Sequence, residues 1–230
     1  MYEILLVDID NTIFNFDIAE DKAIHIALKH YNIDPTEDIV KKFKEINESL
    51  WRQFELGNIT KEKLLEKRFE DLFVFLENKE YVSNNISKDI NKYYLTQLAS
   101  SSDLMPNAYE CLKQLAKSHK IYPVTNGVYN TQTKRINNSI VKEFFSRIYI
   151  SEQIGIQKPH KEFFDYVFND LKIKDKSKVL LIGDSLTADI LGGINYGIDT
   201  VWYNYNQKTS SNIKAKYEIN DLLELIDICK

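Results

Sequence analysis

A series of short apolar runs, each followed by polar residues, is the feature that most constrains the fold of this chain. The runs lie at residues 3–8, 121–125, 147–150, 179–182 and 200–203. Continuous apolar runs of this length are typical of strands buried on both faces of a parallel sheet. From about residue 104 onward, segments with helical spacing of apolar residues lie between the runs, which indicates βαβ units. The sequence therefore predicts an α/β fold with a Rossmann-like parallel sheet.

Residues 15–100 follow a different pattern. Their apolar positions have helical period without strand-like runs, which predicts four helices, with Thr36 and Thr60 as N-caps. We expect a core domain at 1–14 and 101–230 and a helical cap domain at 15–100. An insertion at the carboxyl end of a strand lies over the place where open parallel sheets bind ligands, so the cap is a candidate lid.

Charge and hydropathy exclude several classes of function. The net charge of -4 provides no basic field for a nucleic-acid polymer. No apolar run approaches the roughly 20 residues needed to cross a bilayer, and the N-terminal segment carries acid where a signal peptide carries base. We therefore expect a cytoplasmic protein without a membrane partner. Cys111 and Cys229 lack metal-ligand spacing and are expected to stay reduced.

Four polar clusters follow the predicted strands. In order along the chain they are Asp8-Ile9-Asp10-Asn11-Thr12, Thr125-Asn126-Gly127, Lys158-Pro159, and the segment from Gly183 to Asp189 that contains Asp184 and Ser185. Each alone has an ordinary interpretation, such as a solvated strand end or a plain turn. Their occurrence together, each at or soon after a strand end, indicates one functional site.

These clusters resemble, in order, the four motifs of the haloacid dehalogenase (HAD) superfamily. The resemblance covers the whole chain and implies the HAD fold with a C1-type helical cap. Within the superfamily the chain looks most similar to the pyrimidine 5'-nucleotidases of the YjjG type. That closer resemblance is carried by Asn47, Leu50-Trp51, residues 57–60, residues 68–70 and residues 189–195.

The resemblance implies a phosphoryl-transfer site, and electrostatics gives its acidic residues a reason. A phosphate monoester is a dianion, so an anionic nucleophile attacks it only where cations neutralise the site. We expect Asp8 to attack phosphorus and form an aspartyl-phosphate, and Asp10 to act as general acid and then general base. Mg2+ is expected at Asp8, Asp184 and the main-chain carbonyl of Asp10.

Phosphate binding is assigned to the second and third motifs. We expect the Thr125 hydroxyl and the Asn126 amide to bind phosphoryl oxygens, with Gly127 allowing the turn that exposes them. Lys158 is expected to contact both nucleophile and phosphate. The resemblance implies that Asp189 holds Lys158 or a metal-bound water in place; the alternative is that Asp189 acts only as a charge at a helix N-terminus. Thr12 and Ser185 are expected in supporting positions.

The cap offers candidates for substrate recognition. Asn47, Trp51 and Arg68 are predicted as possible substrate contacts. Trp51 and Phe54 form either a base-stacking platform or part of the cap's own core.

The sequence thus predicts a Mg2+-dependent phosphomonoesterase for small phosphorylated metabolites, most specifically nucleoside 5'-monophosphates. The alternatives are a sugar-phosphate or phosphoglycolate phosphatase, a 2-haloacid dehalogenase and a non-catalytic regulator. Asp10 argues against a dehalogenase, because that reaction has no alkoxide to protonate. The complete set of nucleophile, acid, lysine and metal aspartate argues against a regulator.

Overall fold

The computed structural model describes residues 1–77, 86–209 and 212–230. Contacts between Cα atoms divide the chain into two compact units. The core unit consists of Met1–Phe16 and Ser102–Lys230, and the cap unit consists of Asp17–Ser101. Within the described ranges, no helix is long and apolar enough to span a membrane.

The core unit contains a six-stranded, fully parallel sheet of order β3-β2-β1-β4-β5-β6. The strands are β1 (Ile4–Val7), β2 (Lys120–Thr125), β3 (Tyr149–Ile150), β4 (Val179–Gly183), β5 (Asp199–Tyr203) and β6 (Tyr217–Ile219). The α/β class and the parallel sheet are therefore confirmed. The sequence did not predict β6, because a three-residue edge strand containing exposed Glu218 has no continuous apolar run.

The central strands β1 and β4 are apolar throughout because helices cover both faces of the sheet. On one face, Leu5 and Ile182 pack with Leu112 in one hydrophobic cluster. On the other face, Leu6 and Phe164 pack in a second cluster. Neighbouring residues of one strand thus point alternately into two separate hydrophobic clusters, as expected for a sheet with helices on both faces.

The α-helices of the core unit lie between successive strands, except the last one, which follows β6. They are α5 (Ala108–Leu115), α6 (Tyr129–Asn137), α7 (Ser151–Ile154), α8 (Lys161–Leu171), α9 (Leu191–Tyr196) and α10 (Leu225–Ile228), with a π-helical turn at Leu186–Ile190.

Four helices account for most of the described cap unit: α1 (Phe16–His30), whose first residue belongs to the core unit, α2 (Glu37–Glu55), α3 (Lys61–Phe75) and α4 (Ile86–Leu98). The aromatic rings of Phe43, Phe69 and Tyr94 pack within 6 Å of one another between α2, α3 and α4. The Thr60 hydroxyl accepts a hydrogen bond from the main-chain N–H of Lys63 and caps α3. Thr36 occupies the N-cap position of α2, but its side chain makes no capping hydrogen bond with the described residues.

Candidate active site

The polar clusters of the core unit meet at the carboxyl ends of the central strands. Strand β1 lies in the middle of the sheet, and the chain continues to β2 on one side and later to β4 on the other. Asp8 follows β1 directly, and its main-chain N–H donates to the Ile182 carbonyl at 2.9 Å. Thr125 ends β2 and Gly183 ends β4. This is the switch point at which open parallel sheets form ligand crevices.

Lys158 is the centre of a buried network of charges. Its ammonium donates to Asp8 Oδ1 at 2.6 Å, to Asp189 Oδ1 at 2.6 Å and to the Val124 carbonyl at 2.7 Å. Lys158 and Asp189 are each only 1% exposed, so these ion pairs are shielded from solvent. An ammonium has three protons, and all three are engaged.

Burial and neighbouring charges act in opposite directions on these groups. Burial raises the pKa of Asp8 strongly, the cation of Lys158 lowers it, and Asp189 and Asp10 raise it further. For Lys158, burial alone lowers the pKa, but Asp189 and Asp8 outweigh it, so the net shift is upward. Lys158 is therefore a permanent cation, whereas Asp8 needs further positive charge to be a carboxylate at neutral pH.

Asp189 is held in place on two sides. Its Oδ1 accepts from Lys158, and its Oδ2 accepts from the main-chain N–H of Ser185 at 3.2 Å. The Ser185 hydroxyl in turn accepts from the N–H of Ala188 at 3.1 Å and caps the π-helical turn. A Cβ on Gly183 would lie 2.2 Å from Asp189 Oδ2, so glycine is required there for space.

Three carboxylates could hold a cation. Asp8, Asp184 and Asp189 each offer an oxygen within 4.8 Å of the other two. The Lys158 ammonium pairs with two of these acids, Asp8 and Asp189, so the three carboxylates and this ammonium together carry a net charge of -2 if all are ionised. Hard carboxylate oxygens and a charge deficit of two suit a divalent cation such as Mg2+. The donor set therefore fits the metal that the sequence predicted.

The loop after β2 positions Lys158. The Asn126 side chain donates to the Lys158 carbonyl and accepts from the Lys158 main-chain N–H, each at 2.9 Å. The Thr125 hydroxyl accepts from the N–H of Gly127 at 3.0 Å. A Cβ on Gly127 would lie 2.2 Å from the Gln132 amide nitrogen. Gly127 is thus required for space, since its φ is not in the left-handed region.

Asp10 has two partners that the sequence analysis missed. Arg135 Nη1 donates to Asp10 Oδ1, and Gln132 Nε2 donates to Asp10 Oδ2. Both partners lie on α6, which begins directly after the loop formed by Thr125-Asn126-Gly127. A glutamine and an arginine three positions apart, and so on one face of that helix, were the available signal.

The first loop turns without glycine. Asn11 has a φ of 57° in the left-handed region, which asparagine tolerates better than most residues. Its Oδ1 accepts from the N–H of Phe16, the first residue of α1, at 2.9 Å. Thr12 is fully buried beside it, and its hydroxyl has no hydrogen-bond partner among the described residues.

The cap candidates lie together within the cap unit. Arg68 Nη1 donates to Asn47 Oδ1 at 3.3 Å, and Arg68 Nε donates to Asn91 Oδ1 at 2.7 Å. Asn47 and Arg68 are 2% and 1% exposed. Trp51 is half-buried and packs edge-on against Phe54, beside the cluster of Leu50, Phe54 and Leu64. These contacts suit the interior of the cap, and contact with substrate stays a prediction.

The fold and this arrangement of acids and lysine define a hydrolase family. Residues 2–197 match the family model of the haloacid dehalogenase-like hydrolases. The chain therefore belongs to that family, as the sequence motifs predicted.

Individual relatives extend the comparison over nearly the whole chain. The HAD-hydrolase YfnB of Bacillus subtilis is 39% identical over 228 residues, covering 99% of this chain and 95% of that protein. The pyrimidine 5'-nucleotidase PynA of Streptococcus pneumoniae is 33% identical, with coverage of 98% and 94%. The pyrimidine 5'-nucleotidase YjjG of Escherichia coli is 29% identical, with coverage of 98% and 97%. A crystal structure of YfnB bound to magnesium superposes with a TM-score of 0.92, covering 99% of this chain and 98% of that one.

Proposed function

We propose that this hydrolase is a Mg2+-dependent phosphomonoesterase that acts on nucleoside 5'-monophosphates through an aspartyl-phosphate at Asp8. The observation that carries the proposal is the buried ion pair of Asp8 with Lys158 at the switch point of the sheet. An aspartate beside a permanent cation suits attack on a dianionic phosphate ester. The names of the two nucleotidase relatives support the choice of nucleotide.

Asp8, Asp184 and the main-chain carbonyl of Asp10 would hold Mg2+. Bound there, the ion would supply the positive charge that keeps Asp8 ionised and offsets the phosphate dianion. Asp189 lies in the same acidic group and accepts a hydrogen bond from Lys158. It would therefore orient the lysine and add negative charge beside the metal.

Phosphoryl oxygens would meet donors from two loops. The Thr125 hydroxyl already accepts from Gly127, so its own proton is oriented away from that bond and can be donated to a phosphoryl oxygen. Because the Asn126 side chain bonds the Lys158 main chain, we assign the phosphate contact of Asn126 to its main-chain N–H. Lys158 reaches a phosphoryl oxygen by exchanging one of its three bonds. The bond to Asp8 weakens most once that carboxylate becomes an acyl phosphate.

Asp10 would handle the protons. In the first step its carboxylic acid protonates the leaving oxygen of the nucleoside while Asp8 Oδ bonds to phosphorus. In the second step it takes a proton from the water that attacks phosphorus and releases Asp8. Its side chain is 28% exposed, which leaves room for the leaving group on the side away from Arg135.

Replacement of the nucleophile tests the proposal. Asp8→Asn keeps the shape of the side chain but removes the attacking oxyanion, so kcat for p-nitrophenyl phosphate in Mg2+ should fall by at least about 10^4-fold. The matched control is Asp227→Asn, which changes an exposed carboxylate of α10 that pairs with Lys230. Substantial turnover by the Asp8→Asn protein would refute the nucleophile assignment.

A further inference from the structure

The helix α6 presents two side chains to Asp10 from the interior of the core unit. Arg135 Nη1 donates to one carboxylate oxygen and Gln132 Nε2 to the other. Arg135 is fully buried and Gln132 is 1% exposed, whereas the Asp10 side chain is 28% exposed. Two buried donors thus hold both carboxylate oxygens of Asp10, while part of its side chain stays exposed.

Burial of a guanidinium requires compensation. An unpaired charge in the interior is strongly destabilising, and replacing a buried ion pair by apolar side chains of similar volume often leaves a protein as stable or more stable. Arg135 pairs with Asp10 and lies 4.9 Å from the centre of the Phe14 ring. Packing alone therefore does not explain an arginine at position 135, which indicates that Arg135 is present because of its interaction with Asp10.

Gln132 connects Asp10 to the phosphate-binding loop. Its Nε2 lies 3.3 Å from the Thr125 hydroxyl as well as bonding Asp10. Because Gly127 has no side chain, the Gln132 amide can occupy the space beside it. Arg135 Nη1 lies 3.5 Å from Gln132 Oε1, so the two donors also support each other. Asp10, Thr125 and α6 therefore form one connected unit.

We propose that Arg135 and Gln132 are positioning residues that fix Asp10 for proton transfer to the leaving group, an inference that rests on the proposed phosphomonoesterase activity. As the bond between phosphorus and the leaving oxygen breaks, its electron pair stays on that oxygen, which takes the proton of Asp10. The resulting Asp10 carboxylate is held on both oxygens by the guanidinium and the amide. The same two donors keep it in place to take a proton from the hydrolytic water.

The test compares leaving groups that differ in their need for a proton. p-Nitrophenyl phosphate releases a stable phenolate, whereas benzyl phosphate, of similar size, releases an alkoxide. We expect Arg135→Met and Gln132→Met to lower kcat/KM for benzyl phosphate by roughly 100-fold, within the range of general acid catalysis, and for p-nitrophenyl phosphate by about tenfold or less. Asp10→Asn should change the ratio of the two values in the same direction. The ratio kcat/KM is used because it reports on the steps up to formation of the acyl phosphate.

Controls separate positioning from folding. Lys134→Met removes an exposed cation from the same helix and should leave the ratio unchanged. Arg135→Lys keeps a cation in place and should give a ratio of kcat/KM values between those of the wild type and Arg135→Met. This variant tests the proposal even if Arg135→Met does not fold. Equal losses on both substrates in Arg135→Lys and Gln132→Met would overturn the positioning role while leaving the phosphatase activity intact. Unchanged hydrolysis by Asp8→Asn would instead refute the proposed function itself.

Discussion

Glu20 of the cap unit provides a prediction whose magnitude follows from the structure. Glu20 is only 6% exposed, and its Oε1 accepts from Asn47 Nδ2 at 2.6 Å. Burial raises the pKa of Glu20 to about 7; Asn47, Lys44 and Arg68 oppose the shift, and Asp17 adds to it. Glu20→Gln keeps the carbonyl oxygen that accepts from Asn47 but cannot ionise.

Proton linkage determines how Glu20 makes the stability of the fold depend on pH. Because the folded state binds the proton more tightly than the unfolded state, the contribution of Glu20 is present in full below pH 4.5 and is lost as pH rises towards 7. A tenfold change in proton affinity corresponds to about 1.4 kcal/mol, so ionised Glu20 destabilises the fold by about 3 kcal/mol. Most of that change, about 2–3 kcal/mol, falls between pH 5 and pH 8.

Urea unfolding followed by circular dichroism at the two pH values measures this effect. Relative to the wild type, Glu20→Gln should gain about 2–3 kcal/mol in free energy of unfolding between pH 5 and pH 8. Glu48→Gln, an exposed change on α2, controls for the loss of one charge. If the difference between Glu20→Gln and the wild type is the same at both pH values, the raised pKa of Glu20 is refuted.

Two further predictions concern the chemistry of the site. Removal of divalent ions with EDTA should lower phosphatase activity roughly 100-fold or more, and added Mg2+ should restore it, because the three ionised carboxylates and Lys158 together carry a net charge of -2. A steady rate measured in excess EDTA would contradict this charge argument. In a side-by-side panel, kcat/KM for pyrimidine nucleoside 5'-monophosphates should exceed kcat/KM for sugar phosphates and phosphoglycolate by about tenfold or more. These other substrates lack the base, and loss of one group that fits a binding pocket lowers kcat/KM by about that factor. The reverse order would support the sugar-phosphate alternative.

Features with a local signal were predictable from the sequence. The buried strands β1, β2, β4 and β5 are continuous apolar runs, and the helices of the cap have plain helical period. The catalytic candidates after β1 and β4 follow from their position at strand ends. Strand β6 has no such signal, because an edge strand of three residues needs few apolar side chains.

Contacts between distant residues could not be read in the same way. Arg135 lies 125 positions from Asp10, and their pairing depends on how α6 packs beside the first loop. The motif predicted a phosphate-binding amide at Asn126, but only the fold shows that the Asn126 side chain bonds the Lys158 main chain. Likewise, Gly127 is required for the space that Gln132 fills, which no pattern along the chain reveals.

The most direct test of the central claim is detection of the phosphoryl group on Asp8. The Asp10→Asn protein is mixed with Mg2+ and p-nitrophenyl phosphate, whose leaving group needs no proton from Asp10. The reaction is quenched in acid within one turnover, and the protein is digested and analysed by mass spectrometry. Loss of the general base slows hydrolysis of the acyl phosphate, so the intermediate should accumulate. We expect one phosphoryl group on the peptide that contains Asp8. The double variant Asp8→Asn, Asp10→Asn should carry none. Product formation without an adduct, or an adduct on another residue, would contradict the account.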